Sequence, residues 1–164
     1  MRITGFGYGN VWLAARDIAP RALAAALGLA VSRDIAWNEG VDAAYANPSR
    51  QVFITPPIDG WTLAVGVGLF DLADERIFHS RIEQLAKELN AEVQFFGTHR
   101  VVETHAWARA TSTGLVRAYM YVGDKGQTAI DLGPQSPEEI APGFKFFDER
   151  NAEARDDEYW SRND

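Results

Sequence analysis

The chain has 164 residues, a formal net charge of −7 at pH 7, 46% hydrophobic residues and no cysteine. This length and composition predict one folded domain with a sizeable core. The acidic balance argues against non-specific nucleic-acid binding, which needs cationic side chains to neutralise phosphates. The lack of cysteine excludes disulfides and thiol catalysis. Because the sequence has no run of 18 apolar residues and no export leader, we expect a cytoplasmic protein that does not span a membrane.

Alternating hydrophobicity, caps and turn residues predict six elements in the first ninety residues. Strands are expected over 11–15, 52–55 and 61–69, and helices over 17–27, 39–46 and 74–89. Asp17 and Asn38 are the expected caps of the first two helices. The helix over 74–89 has the clearest apolar face, and Asn90 is expected to end it.

Residues 93–133 predict three consecutive antiparallel strands, a β-meander. Side chains alternate between the two faces of a strand, and the even-numbered positions here are mostly small or apolar. Two three-residue loops ending in Gly114 and Gly126 are expected to join the strands, with Thr111 opposite Leu115 in the first loop. Thr128 is expected to lie on the apolar face.

The opposite face of the meander collects the side chains with binding chemistry, and we call it the polar-aromatic face. Its predicted members are His99, Glu103, His105, Trp107, Arg109, Arg117, Tyr119, Tyr121 and Asp131. The expected register places Arg109 opposite Arg117, Trp107 opposite Tyr119, and Asp131 opposite Tyr119. Because opposed like charges are destabilising, the two arginines need an acidic partner. Asp131 and Glu103 could supply it within the sheet, or a ligand or partner protein could supply it from outside.

Metal binding and catalysis have weaker signals on this face. His99, Glu103 and His105 are the residue types of a two-histidine, one-carboxylate metal site. However, six residues of extended strand would separate the two histidines by about 20 Å, so no metal is expected. Glu103 and His105 could also form an acid–base pair, but no positioned nucleophile accompanies them. We therefore predict no catalytic residue and no cofactor.

The end of the chain carries two further signals. Ser136, Pro137 and Glu139 form a capping box that predicts a short helix, ended early by Pro142. Residues 148–164 form an acidic tail, expected to be helical or partly disordered. The folded domain is therefore expected to comprise residues 1–147.

Several strings of the sequence resemble a family of uncharacterised bacterial proteins. They are Val11 to Arg16, Val52 to Leu63, Glu92 to Arg109 and Leu115 to Tyr119, with TPPIDGW and EVQFFGTHRVVETHAWAR as the most specific motifs. The resemblance extends over residues 10–145, and the family is similar to immunity proteins of bacterial polymorphic toxin systems. It implies a small cytoplasmic accessory protein and assigns no catalytic residue.

Together these observations predict a single α+β domain, in which a largely antiparallel sheet packs its apolar face against the helices over 17–27 and 74–89. The leading function is a non-catalytic immunity protein that occludes the active site of a cognate toxin. An acidic inhibitor suits a basic toxin, because opposite charges accelerate capture. The binding candidates are Glu103, His105, Trp107, Arg109, Arg117, Tyr119, Tyr121 and Asp131.

Two alternatives remain open at the level of sequence. One is a small enzyme or binding domain for an anionic metabolite, with Arg109 and Arg117 as the anchor and Glu103 and His105 as acid–base groups. The other is a homodimer that buries the aromatic sheet face against its own copy. A deep pocket on the face would favour the first alternative.

Overall fold

The computed structural model describes residues 11–31, 33–46, 50–99, 101–142, 152–156 and 158. The strands are β1 (Val11–Arg16), β2 (Phe53–Ile54), β3 (Trp61–Val65), β4 (Val93–His99), β5 (Thr104–Thr111), β6 (Gly114–Val122) and β7 (Gln127–Leu132). The α-helices are α1 (Pro20–Ala26), α2 (Trp37–Tyr45), α3 (Phe78–Leu89) and α4 (Pro137–Ile140). Short 3-10 helices cover Val67–Ala73, Gly123–Lys125 and Ala152–Arg155.

The strands form one antiparallel sheet in the order β2-β3-β1-β4-β5-β6-β7. The predicted α+β class is therefore confirmed, whereas residues 93–133 form a meander of four strands, β4 to β7, and not the predicted three. The first half of the chain extends this meander, because β1 pairs with β4 on one side and with β3 on the other. Strands distant in sequence thus become neighbours on one surface.

Helices α1 and α3 cover one face of the sheet and build the main core. Phe78, Ile82 and Leu85 of α3 are completely buried, together with Leu23 of α1 and Phe95 of β4. The predicted apolar spacing of α3 is thereby confirmed. Packing of such an amphipathic face, rather than helix propensity, supplies most of the stability of a helix of this length.

Helix α3 begins later than predicted and ends where expected. It starts at Phe78 rather than at residue 74, because Asp74 precedes it in a turn and accepts a hydrogen bond from the backbone of Arg76 at 3.0 Å. Asn90 adopts the left-handed conformation, with φ of 49°, and ends the helix. Residues of this conformation commonly terminate helices.

The other early elements are displaced by a few residues. Both predicted caps are wrong. Helix α1 begins at Pro20 after Ala19, since Asp17 occupies a left-handed turn after β1, and helix α2 begins at Trp37 after Ala36, which places Asn38 inside the helix. Strand β3 ends at Val65 rather than at residue 69. Gly66, with φ of 147°, redirects the chain there into a 3-10 helix, and a β-carbon at this position would lie 2.4 Å from the Gln51 carbonyl oxygen.

The predicted register of the meander is confirmed, but its turns differ. Arg109 pairs with Arg117, Trp107 with Tyr119, and Tyr119 with Asp131. In the first turn Thr111 pairs with Gly114, so the loop has two residues and not three. A register shift between Arg109 and Ala110 then restores the pairing that the three-residue loop was expected to give.

A second register shift, between Met120 and Tyr121, brings Thr128 opposite Tyr121. The Thr128 hydroxyl lies 3.3 Å from that of Tyr119, so the expectation that Thr128 lies on the apolar face is wrong. A β-bulge adds one residue to a strand and thereby moves the following side chains to the other face.

The predicted domain over residues 1–147 and the predicted tail over 148–164 both include residues outside the described ranges. Of the acidic tail over 148–164, only residues 152–156 and 158 are described, and the first four of them form a 3-10 helix. Within the described parts of the chain, no helix is long and apolar enough to cross a membrane.

Candidate binding face

The polar-aromatic face is the side of the sheet turned away from α1 and α3, and two helices border it. Helix α2 packs over the β2–β3 end, where Val41 and Ala44 contact a cluster that includes Phe53 and Val65. Helix α4 lies beside β5 and β6 and places Glu139 against the side chains of Trp107 and Arg117. The face is thus framed at both ends by short helices.

A row of aromatic rings crosses the middle of this face. The register aligns Trp12 of β1 with Phe96 of β4, Trp107 of β5 and Tyr119 of β6. The Trp12 and Phe96 rings stack at 4.3 Å, and the Trp107 and Tyr119 rings stack at 4.1 Å. Stacked pairs of this kind add about 0.5–1.5 kcal/mol each beyond the area they bury. Sequence reasoning found the second pair and missed the first.

His99 and Glu103 do not lie on this face, so their predicted placement is wrong. Because His99 pairs with Thr104, the odd-numbered residues of β5 face the even-numbered residues of β4. The His99 ring therefore points to the helix side, where its centroid lies 4.9 Å from that of Phe70. Glu103 sits in the β4–β5 turn in a left-handed conformation, with φ of 46°.

This placement bears on the candidate metal and acid–base groups. Among the described residues, no three histidine or acidic side chains are grouped so that they could hold a metal ion. The His105 Nδ1 lies 2.7 Å from the Thr98 hydroxyl oxygen. Burial lowers the pKa of His105, and the nearby charge of Glu103 only partly opposes this effect. The imidazole is therefore held toward its neutral form.

Arg117 is the most constrained charged residue of the face, with only 4% of its side chain exposed. Its Nη1 donates to Asp131 Oδ1 at 2.6 Å, and its Nη2 donates to Glu139 Oε1 at 2.9 Å. Nη1 also donates to the Leu132 and Gly133 carbonyl oxygens. Burial would lower the pKa of Arg117, but its hydrogen bonds to the two carboxylates raise it overall.

The compensating charge expected for the opposed arginines is therefore supplied by the domain itself, from β7 and α4. Asp131 supplies one part as predicted, whereas Glu139 takes the role that was assigned to Glu103. The guanidinium group of Arg117 donates its hydrogen bonds to acceptors within the domain and is not exposed to a partner protein. Removing one member of a buried ion pair strongly destabilises a protein, because the other charge then stays buried without a partner.

The capping box of α4 holds Glu139 in place. The Ser136 hydroxyl accepts from the Glu139 backbone at 3.2 Å, and Glu139 Oε2 accepts from the Ser136 backbone at 2.7 Å. The Trp107 indole Nε1 also donates to Glu139 Oε1 at 3.0 Å. Burial would raise the pKa of Glu139, but the hydrogen bonds from Arg117 and Ser136 lower it overall. The sequence motif thus predicts the cap but not its second role.

Replacing Ser136 with alanine is expected to lower the free energy of unfolding by about 1 kcal/mol, because the cap loses its acceptor. Urea unfolding followed by tryptophan fluorescence would measure this change. Ser112, which is exposed in the β5–β6 turn, is the matched control, and its alanine variant should change stability by less than about 0.5 kcal/mol. Equal effects of the two substitutions would contradict the role of the cap.

A second group of polar residues lies where β3, β1, β4 and β5 meet. We call it the arginine–tryptophan patch; its members are Arg16, Trp61, Glu92, Gln94 and Arg109. Arg16 stacks over the Trp61 ring at 5.3 Å, and the Arg109 Nε donates to Glu92 Oε1 at 2.7 Å. The side chains of both arginines are 52% exposed. Unlike Arg117, they present their guanidinium groups to solvent.

Glu92 is hydrogen-bonded to both residues that carry the exposed guanidinium groups, to Arg109 through its side chain and to Arg16 through its backbone. Its carboxylate accepts from the Gln94 side chain as well as from Arg109, and its backbone carbonyl accepts from the Arg16 amide at 2.9 Å. Burial would raise the pKa of Glu92, but these hydrogen bonds and the charges of both arginines lower it overall. The carboxylate therefore stays ionised between two cations.

A cavity of about 670 Å³ lies at the β2 edge of the sheet, away from the predicted binding residues. It is lined by α1, residues 29–31 and 33–35, α2 and residues 50–57. None of the eight predicted binding residues lines it. This cavity therefore does not support a small-molecule enzyme site built from the predicted residues of the polar-aromatic face.

The structure separates the predicted binding residues into four groups. Arg117, Asp131 and Tyr119 belong to the buried network beside α4, and Glu103 lies in a turn. His105, Trp107 and Tyr121 remain on the face, and Arg109 joins the arginine–tryptophan patch. The chain matches no protein-family model, no curated protein and no solved structure.

Proposed function

We propose that this chain is a non-catalytic binding protein of the bacterial cytoplasm, which neutralises a cognate protein toxin by occluding the toxin's active site. The observation that carries the proposal is the arginine–tryptophan patch. Arginine and tryptophan are the residue types that dominate the hot spots of protein interfaces. Here Arg16, Trp61 and Arg109 present such side chains from strands of one sheet, where little conformational entropy remains to be lost on binding.

The charges of the patch favour a carboxylate on the partner. A guanidinium group recognises a carboxylate through two parallel hydrogen bonds, and it is more weakly hydrated than an ammonium group. Glu92 neutralises part of the positive charge of the patch, because it pairs with Arg109 and its pKa is also lowered by the charge of Arg16, whose Nε lies 3.7 Å from Asp17 Oδ2. A partner carboxylate could then bind between the two arginines.

The overall charge supports a partner that is basic elsewhere. With a net charge of −7, the chain would be steered toward a positively charged protein. A basic nuclease toxin combines both requirements, because nuclease active sites carry metal-binding carboxylates within a basic surface that attracts nucleic acid. Blocking such carboxylates with Arg16 and Arg109 would exclude the metal and the substrate together.

The alternative of an anionic-metabolite enzyme has less support. Its anchor required Arg109 and Arg117 together, yet Arg117 is bound to Asp131 and Glu139. Its acid–base pair required Glu103 beside His105, yet the hydrogen bond at His105 Nδ1 is made with Thr98. Binding by surface complementarity needs neither arrangement.

Co-expression with the toxin-like product of the adjacent gene tests the proposal. Wild-type chain is expected to restore growth, and Arg109→Ala is expected to weaken toxin binding at least about tenfold, the loss typical of a hot-spot residue. Arg76 is the matched control, since it is exposed and also pairs with one carboxylate. Arg76→Ala should retain full affinity in calorimetry.

Three results would contradict this function. The first is an absence of both rescue and co-purification. The second is an affinity that Arg109→Ala leaves unchanged. The third is a dimer in sedimentation that dissociates in Arg109→Ala, since this would assign the patch to self-association instead.

A further inference from the structure

The cavity at the β2 edge of the sheet is independent of the proposed toxin contact. Its walls are α1 on one side of the sheet, α2 on the other, and residues 29–31 and 33–35. Both helices line it with small residues: Ala24 of α1, and Gly40 and Ala43 of α2. The Phe53 ring packs against Gly40, and Ala24 is almost completely buried, so the room for an extended peptide beside β2 lies next to the partly exposed Ala43.

Two backbone groups of β2 face this cavity and pair with no described residue. In the described parts of the chain, β2 is the last strand on its side of the sheet and pairs with β3 alone. The Thr55 amide donates to the Leu63 carbonyl oxygen at 2.9 Å. Because hydrogen-bonded and non-hydrogen-bonded pairs alternate in an antiparallel ladder, the N–H and C=O of Ile54 must point away from β3. Ile54 lines the cavity.

One cation of the cavity lining pairs with no acidic side chain of the described residues. Of the three arginines in the lining, Arg33 pairs with Glu39 and Arg50 pairs with Asp71. The lining also contains one acid, Asp34. Arg21 makes no ion pair with any described residue, so its guanidinium group favours an acidic group on a ligand beside it.

We propose that this cavity binds an extended acidic peptide segment of a partner protein, which adds as a short strand to the edge of β2. In this mode main-chain hydrogen bonds give affinity, and pockets for alternate side chains give specificity. A ligand residue opposite Ile54 pairs with its N–H and C=O and shares its sheet face, on the side of α1 and Arg21. The neighbouring ligand residues face Phe53, Gly40 and Ala43.

The short length of β2 limits the register. Pro56 and Pro57 follow it after Thr55 alone, and proline cannot donate to a ladder. An added strand therefore pairs mainly around Ile54, and the acidic side chain that shares its face is the one placed near Arg21. Specificity rests on this single register.

The probe is an acetylated, amidated peptide of about eight residues that alternates valine and glutamate. Fluorescence anisotropy is expected to show binding that weakens at least about fivefold when glutamine replaces glutamate or when Arg21→Gln removes the cation. Ala43→Leu, which fills the cavity, should abolish binding. Ala25→Leu is the matched control, because Ala25 is exposed on α1 and does not line the cavity.

N-methylation of the peptide tests the strand geometry. Because the repeating peptide could shift by two residues along β2, one peptide is methylated at every glutamate amide and a second at every valine amide. The first should not bind, since the glutamate that shares the face of Ile54 pairs with it, whereas the second should still bind, because alternate amides of a strand point in opposite directions. Protection of the Ile54 amide from hydrogen exchange on binding would be the direct sign of strand addition. Ala43→Leu and Arg21→Gln should retain the wild-type thermal transition.

The proposal is overturned if the peptide does not bind or if both N-methylated peptides bind equally. It is also overturned if decanoate occupies the cavity, is displaced by Ala43→Leu, and leaves Ile54 unprotected, since the ligand would then be a small amphipathic anion. Arg16→Ala and Arg109→Ala should leave peptide binding unchanged. Failure at this site is thereby distinguishable from failure of the toxin contact.

Discussion

Replacing Arg117 with leucine is expected to lower the free energy of unfolding by about 3–5 kcal/mol. The substitution leaves Glu139, whose side chain is only 10% exposed, without its cation. It also removes the donor that serves the Leu132 and Gly133 carbonyl oxygens. Equilibrium unfolding in urea at pH 7, followed by circular dichroism, measures the loss.

Arg109→Leu is the matched control for this prediction. Arg109 lies directly opposite Arg117, so either substitution relieves the repulsion between the two arginines equally. The Arg109 side chain is 52% exposed, and Glu92 keeps its hydrogen bond from Gln94 when Arg109 is removed, so the substitution should cost less than about 1 kcal/mol. A loss in Arg117→Leu no larger than that in Arg109→Leu would show that the buried network contributes little.

A double variant distinguishes two causes of this loss: the missing attraction between Arg117 and Glu139, and the cost of leaving the Glu139 carboxylate buried without a cation. If Arg117→Leu is costly because Glu139 remains buried and ionised, Glu139→Leu should recover part of the loss when the two are combined. Asp131 needs no such change, because its side chain is 49% exposed and water can solvate it. The recovery will be incomplete, since the Trp107 indole then loses its acceptor.

The parts of this fold that follow from local alternation could be predicted from the sequence. The pairs of Arg109 with Arg117 and Trp107 with Tyr119 depend only on strand periodicity and a short turn. The placement of His99 was wrong for a related reason. Because His99 pairs with Thr104, odd-numbered residues of β4 share a face with even-numbered residues of β5, and no sequence pattern in the β4–β5 turn predicts this.

The arginine–tryptophan patch could not be predicted in this way. Arg16, Trp61 and Arg109 come from three strands that are far apart in sequence, and they meet only because β1 inserts between β3 and β4. Strand order is set by tertiary packing and leaves no periodic signal in any one segment. The same limit applies to Glu139, whose cap is visible in the sequence while its contact with Arg117 is not.

The second large effect is expected on the helix side of the sheet. Replacing Phe78 with alanine should lower the free energy of unfolding by about 3–5 kcal/mol, because a buried aromatic ring is lost and a cavity remains. Phe78 is completely buried, and its ring meets that of Phe95 edge-on at 5.2 Å. Urea unfolding of the variant would measure the loss.

Ile77→Ala supplies the control from the adjacent position, since Ile77 is 47% exposed. Its effect should stay below about 1 kcal/mol. Similar losses in the two variants would mean that α3 does not anchor the core through Phe78. The comparison depends on burial alone, because both substitutions remove a large apolar side chain at the start of the same helix.

Phe78→Ala also distinguishes stability from recognition. Phe78 and the arginine–tryptophan patch lie on opposite sides of the sheet, so the variant should bind the toxin with wild-type affinity wherever it remains folded. Arg109→Ala should show the reverse, with full stability and weakened binding. If Phe78→Ala weakens binding by more than its unfolded fraction explains, the position of the patch depends on the packing of α3 across the sheet. Titration of both variants at a low temperature, where each is folded, separates these outcomes.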